Sequence, residues 1–348
     1  MAAKNINLSN LSEDELLNLR VCELPLSIKG SWLEDCVQEL YQELQDKGIK
    51  FRPPCYLADE WLTPDQEPVI GIPFFLAHPA LIKLEKKMII EVEGGNKAWC
   101  MKLLRHETGH AINYAYKLYK RKKWNHFFGR FSQEYGDTYR FRPYSKSFVK
   151  HLENYYAQYH PDEDFAETFA VWLNPDVDWR NQYKGWKAIE KLIYVDAIMG
   201  EIKGKEALEK KGKKYWQASK MRIALKTFYK KKRHSYAEEF PDFHDSNLKR
   251  MFTSLDSELS SASKKDKNSQ LAANIVKKYK KEILSNVARW TGEKKYIINE
   301  LLDKIIKRCR ELKLLADKSE SIVMLEVTAY ITALVMNYTY TGGFRKEQ

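Results

Sequence analysis

One stretch constrains this chain more than any other: Leu103-Leu104-Arg105-His106-Glu107-Thr108-Gly109-His110-Ala111-Ile112. On a helix, His106 and His110 lie on one face, about one turn apart. Two imidazoles so placed can bind one divalent cation, and Glu107, next to the first, can reach a water on that cation. The same three side chains on a solvated surface helix would do nothing, so the reading turns on a third ligand elsewhere in the chain. The spacing predicts a helix over 97–119, capped by Asn96, with Trp99, Leu103, His106, His110 and Tyr114 on one face. Gly109 inside it costs roughly 1 kcal/mol against alanine, which points to a second backbone passing close by.

A third histidine six residues after His110 would need Gly at 113 and His at 116, but the chain has Asn113 and Tyr116. The stronger candidate is Asp162-Glu163-Asp164-Phe165-Ala166-Glu167-Thr168-Phe169-Ala170. Pro161 suits the first turn of a helix over 162–173, and Asn174-Pro175 ends it. Glu163 and Glu167 are four apart and project from one face, while Ala166 and Ala170 keep the helix slim enough to pack closely. Glu163 is assigned as the metal ligand. Glu167 is assigned to accept a hydrogen bond from the free ring nitrogen of a ligand histidine. Asp164 and Glu167 stand as rival ligands, because spacing does not fix the helix phase. Acids in a first helical turn also complement the helix dipole without any metal.

Arg105-His-Glu-Thr-Gly-His110, taken with the run from Tyr156 to Leu173 and with Ile70-Gly-Ile-Pro-Phe-Phe-Leu-Ala-His-Pro79, resembles a bacterial family of zinc-binding metallopeptidases. More distantly it is similar to the peptidase domain of anthrax lethal factor, a gluzincin. In that pattern a Tyr is followed seven residues later by a ligand Glu, and four residues after that by another acid. The resemblance implies Tyr156, Glu163 and Glu167 in those places, with a long insertion between His110 and Glu163. It implies a peptidase fold, one catalytic Zn2+ and a peptide or protein substrate. Glu107 would be the general base. Tyr156 would be the donor to the oxyanion, with His234 and His244 as fallback donors.

The rest of the chain reads as α+β. A zincin-like domain with a small N-terminal sheet, mostly helical, is expected over 1–235, and a basic α-helical region over 236–348. Helices are expected at 11–20, 31–47, 78–86, 145–156, 186–199 and 203–233, with strands at 55–57, 69–75 and 88–92. Pro73 removes a ladder donor, so its strand belongs at a sheet edge or ends there; an extended substrate could pair with it, and a simple core strand is an equal reading. Residues 253–270, rich in Ser, form the linker candidate. Three helices near 270–287, 296–315 and 320–338 complete the chain.

Charge divides unevenly. Residues 1–200 carry 26 Lys and Arg against 28 Asp and Glu, whereas 201–348 carry 33 against 19, giving the net +12. The basic half could suit an acidic partner or nucleic acid, but lysines opposite Ile275, Ile283 and Val287 more commonly describe a solvated helix face. The rival to a hydrolase is therefore a nucleic-acid- or partner-binding protein with a structural metal site. Five widely spaced cysteines without a Cys-x-x-Cys pair exclude a thiolate zinc site and a disulfide framework. With no apolar h-region among the first residues, a reduced cytoplasmic setting is expected. The apolar run 322–336, interrupted by Glu326, reads as a buried helix and not as a membrane span.

Overall fold

The computed structural model describes residues 6–135, 141–142, 144–152, 155–234, 244–254 and 270–341. Helices dominate and the strands are few and short, an α+β arrangement in the broad sense. The chain divides into two compact units, 1–88 with 92–230, and 89–91 with 231–348.

In the first unit, α1 (Glu13–Asn18) opens on a capping box between Ser12 and Glu15. Next, α2 (Trp32–Asp46) buries Leu33, Val37, Leu40 and Leu44 along one stripe. A parallel pair follows, β1 (Cys55–Ala58) and β2 (Ile70–Pro73), with Cys55 opposite Ile70. Then come α3 (Pro79–Ile89), α4 (Lys97–Ala115), α5 (Lys122–Phe128), α6 (Pro161–Leu173), α7 (Trp179–Gln182), α8 (Ala188–Ile202) and α9 (Leu225–His234), the last residue of α3 and the last four of α9 falling in the second unit. At the centre, α4 is buried all round from Leu103 to Ala115 and packs most extensively on α6, then on α2. A buried bidentate ion pair ties α2 to α4: Arg105 Nε donates to Glu43 at 2.8 Å and Nη2 at 2.6 Å.

Several expectations are corrected here. Residues 88–89 continue α3 instead of starting a strand, because Leu81, Leu84 and Ile89 extend one buried stripe. Ile90 then breaks the chain direction at φ 68°. The motif helix stops at Ala115, short of 119, since Lys117 adopts a left-handed conformation at φ 52°. Where a helix is expected at 145–156, Tyr156 only opens a short 3-10 helix, Tyr156–Gln158, and residues 145–152 are not helical. Their backbone groups bond outward: Lys146 O accepts from Ala188 N, and Lys150 N donates to the Tyr183 hydroxyl.

Of 203–233, only the end forms a full helix. Before it, the chain is pinned by Ala115 O, which accepts from Leu208 and Glu209, and by Met221 O and Ile223 O, which accept from Cys22 and Val21. Nor is β2 a free edge. All four of its residues are buried, and the second side of Gly71 exchanges both backbone bonds with Leu62 at 2.8 and 3.3 Å.

The second unit comprises α10 (His244–Met251), α11 (Ala272–Lys278), α12 (Lys280–Thr291), α13 (Lys295–Glu311) and α14 (Glu320–Thr341). β5 (Leu314–Ala316) pairs antiparallel with β3 (Thr253–Ser254) on one side and with β4 (Gln270–Leu271) on the other. The ends of the expected linker are thus strands; 255–269 lie outside the described residues. Ile275, Ile283 and Val287 are buried while Lys277, Lys278 and Lys281 face solvent, which is the solvated-face arrangement. The reading of 322–336 as a buried helix holds only for the stripe Val323, Val327, Ile331, Leu334 and Val335; Leu325 is 67% exposed. By length and composition, Glu320–Tyr338 is long and apolar enough to cross a membrane, with 28% of that span buried. All five cysteines are free.

Candidate metal centre

The site is assembled where α4 crosses α6. The Asn96 side chain accepts from Trp99 N and starts α4. At the entry to α6, His160 Nδ1 accepts from Asp162 N at 3.1 Å while its Nε2 donates to Gln133 O at 2.7 Å, and Pro161 fills the first turn. The helices approach at the two smallest residues available. A Cβ added to Gly109 would lie 2.7 Å from Ala166 Cα and 3.0 Å from its carbonyl oxygen. The glycine in the motif therefore has the close backbone neighbour that its helix-breaking character calls for, and the neighbour is the slim position of α6.

That contact brings His106, His110 and Glu163 together, all buried. His106 Nε2 lies 3.2 Å from His110 Nε2, and Glu163 Oε2 lies 3.1 Å from the first and 3.2 Å from the second. A tetrahedral ion with bonds of ~2.0–2.1 Å separates its ligand atoms by ~3.3 Å, so this triangle has the size of one face of such a site.

The other ring nitrogens are committed. His106 Nδ1 donates to Glu167 Oε1 at 2.8 Å, and Glu167 Oε2 accepts from Leu152 N at 2.8 Å. His110 Nδ1 donates to Asp162 Oδ2 at 2.8 Å. Asp162 is itself fixed by Asn113 Nδ2 at 2.7 Å and by the Tyr114 hydroxyl. With Nδ1 of each imidazole directed at a carboxylate, the two Nε2 atoms and a Glu163 oxygen are left converging on one point. A divalent cation would take up all three atoms at once. The residues present therefore fit a divalent metal ion.

The carboxylates around the two imidazoles give the site a field that favours positive charge. Burial opposes charge on both histidines, yet hydrogen bonds from Glu163 and Glu167 outweigh it at His106, pushed up to about 9. His110 is raised further by the charges of Asp162 and Glu163. Burial raises Glu163, but the two imidazoles prevail and hold its carboxyl well below the usual range. For Glu107, also buried, desolvation wins: its carboxyl is raised above the ordinary value against the pull of His106, His110 and the Thr63 hydroxyl.

No family model, no curated protein and no solved structure matches this chain. What the chain can do is accordingly read from the site.

The other residues singled out in the sequence fall as follows. Tyr156 lies beside the site, its ring centroid 5.7 Å from that of His106. Asp164, a rival ligand, points elsewhere and pairs with Lys191 Nζ at 2.5 Å. Glu167, the other rival, sits behind His106 and not among the converging atoms. The side chain of His234 lies outside the described residues. His244 belongs to the second unit, where its Nδ1 is 2.7 Å from the Tyr330 hydroxyl.

Two residues escaped the sequence reading. Asp162 looked like an ordinary first-turn acid; its only signal was a place one residue before Glu163, on the flank of the same face. Tyr135 was one of many tyrosines in an aromatic loop, and nothing in the sequence ties it to Glu163.

Proposed function

We propose that this chain is a zinc-dependent metallopeptidase of the zincin type, with His106, His110 and Glu163 holding the ion. The observation that carries this reading is the convergence of two Nε2 lone pairs and Glu163 Oε2 within 3.1–3.2 Å of one another, with Glu107 beside them. Two imidazoles and one carboxylate suit zinc, whereas magnesium and calcium prefer all-oxygen shells. The group found among the described residues has three members, where structural zinc takes four and catalytic zinc takes three plus water. This favours hydrolysis over a structural site in a binding protein.

A bound zinc ion would supply Lewis acidity, lowering the pKa of a coordinated water and polarising a carbonyl. Glu107, raised above the ordinary carboxylate value by burial, is suited to take a proton at its carboxylate and hand it to the leaving amine. Glu167 and Asp162 hold the two imidazoles in the tautomer that leaves Nε2 free. Tyr156, next to His106, is the donor assigned to the developing oxyanion. The substrate is a peptide or protein.

The test is Glu107→Gln. It should retain one zinc per chain by metal analysis while cleavage of an unstructured protein substrate falls by about 10²–10⁴-fold. Undiminished cleavage by that variant, or purified wild-type chain without stoichiometric metal, would end the proposal.

A further inference from the structure

The two oxygens of Glu163 stand in different surroundings. Oε2 faces both imidazole Nε2 atoms at 3.1 and 3.2 Å. Oε1 accepts a hydrogen bond from the Tyr135 hydroxyl at 3.1 Å. A carboxylate can bind a cation through one oxygen or through both. If both bind, a coordination position that water or a substrate carbonyl would use is taken up.

We infer that Tyr135 is a positioning residue that caps Glu163 Oε1 and keeps this ligand one-armed, so that the metal centre retains an open position. The inference rests on the metal-centre reading above and concerns what sets its coordination number. Tyr135 is 50% exposed, so its ring adds little to the core, yet its hydroxyl reaches inward to a buried carboxylate. The ring is aimed by its neighbours. It stacks on His160 at 3.8 Å between centroids and 13° between planes, and Tyr159 meets it edge-on at 5.4 Å. His160 is itself locked at both nitrogens, by Asp162 N and Gln133 O. The residue that caps α6 thus also orients the phenol, and one backbone entry sets both the ligand and its restraint.

Tyr135→Phe removes the O–H and keeps the stacked ring, which makes it the clean variant. The full-length chain is freed of metal and titrated with cobalt(II), whose visible absorption is more intense in four-coordinate than in five-coordinate sites and so reports geometry. Hydrogen exchange of the α6 peptides verifies that the variant keeps its fold. In Tyr135→Phe the cobalt absorption should weaken at least about two-fold, as the count rises from four to five, and cobalt affinity should drop by about 10-fold. An unchanged spectrum overturns the inference even if affinity falls, because the hydroxyl then does not govern coordination. Wild-type chain that takes up no cobalt overturns the metal centre and this assignment with it.

Discussion

In the second unit the described core is almost wholly aliphatic, and His244 and Thr291 are the buried polar side chains within it. In the first, the contact of α4 with α6 buries two histidines, Glu107, Asp162, Glu163, Asp164 and Glu167 within a few turns. Both units are built from helices packed by apolar stripes, and the bundle asks little more than that, since cores tolerate many substitutions that preserve pattern and volume. Buried ionisable groups are different. Each costs free energy unless it is paired and hydrogen-bonded, so a dense set in which three members converge and most others hold them in place marks the candidate site.

The comparison predicts first that metal supports one unit only. At a metal concentration ~1,000-fold above Kd, stripping the ion with a chelator should lower the stability of α4 and α6 by about 4 kcal/mol. Hydrogen exchange resolved by peptide should show this loss there and none in α11 to α14. Equal losses in both units would break the contrast.

Acid should then separate them in the opposite sense. Burial, aided by the charge of Lys304, pulls His244 down to about 4, so its neutral form belongs to the fold and the unfolded chain binds the extra proton. The stability of the second unit should fall by about 3 kcal/mol as pH drops from 6.5 to 4, and His244→Asn should flatten that slope. The metal-free first unit has histidines raised above their ordinary value, with His106 at about 9. Their contribution is fully present below pH 6.5 and is lost as pH rises through 9. Denaturant midpoints followed by exchange over pH 4–9 check both slopes.

The smallest effect sharpens the geometry. Gly109→Ala gains about 1 kcal/mol of helix propensity but loses about 1–3 kcal/mol by pressing a methyl into the Ala166 backbone. A net destabilisation of about 1 kcal/mol confined to the first unit is expected from urea unfolding. Stabilisation would show that the helices can part at no cost.

Much of the site was legible because its signals are local. The i, i+4 histidines, the Asn96 cap, Pro161 in a first turn and the small residues at 109 and 166 act within one helix turn and need no partner to be recognised. The strand expected at 88–92 and the helix expected at 145–156 failed for the converse reason. Short apolar runs fit either period, and the backbone bonds that settle them come from distant segments, such as Ala188 and Tyr183. At Pro73 the strand ends, one of the two outcomes its missing donor allowed, and of the two roles open to the strand the core one holds, because Leu62 takes up the second side of Gly71.

Read alone, the amino-acid order determined which ligand types were on offer, their spacing, and a helix slim enough to bring the third one in. Tertiary packing decided which acid took which post. Successive side chains on a helix turn by about 100°, so the rotation of α6 decides which of Asp162, Glu163 and Asp164 faces the imidazoles. The backbone contact between Gly109 and Ala166 sets that rotation, putting Glu163 toward the imidazoles, Asp162 behind His110, and Asp164 onto Lys191. The capping of Glu163 by Tyr135 likewise arises only once a loop distant along the chain has been folded over the site.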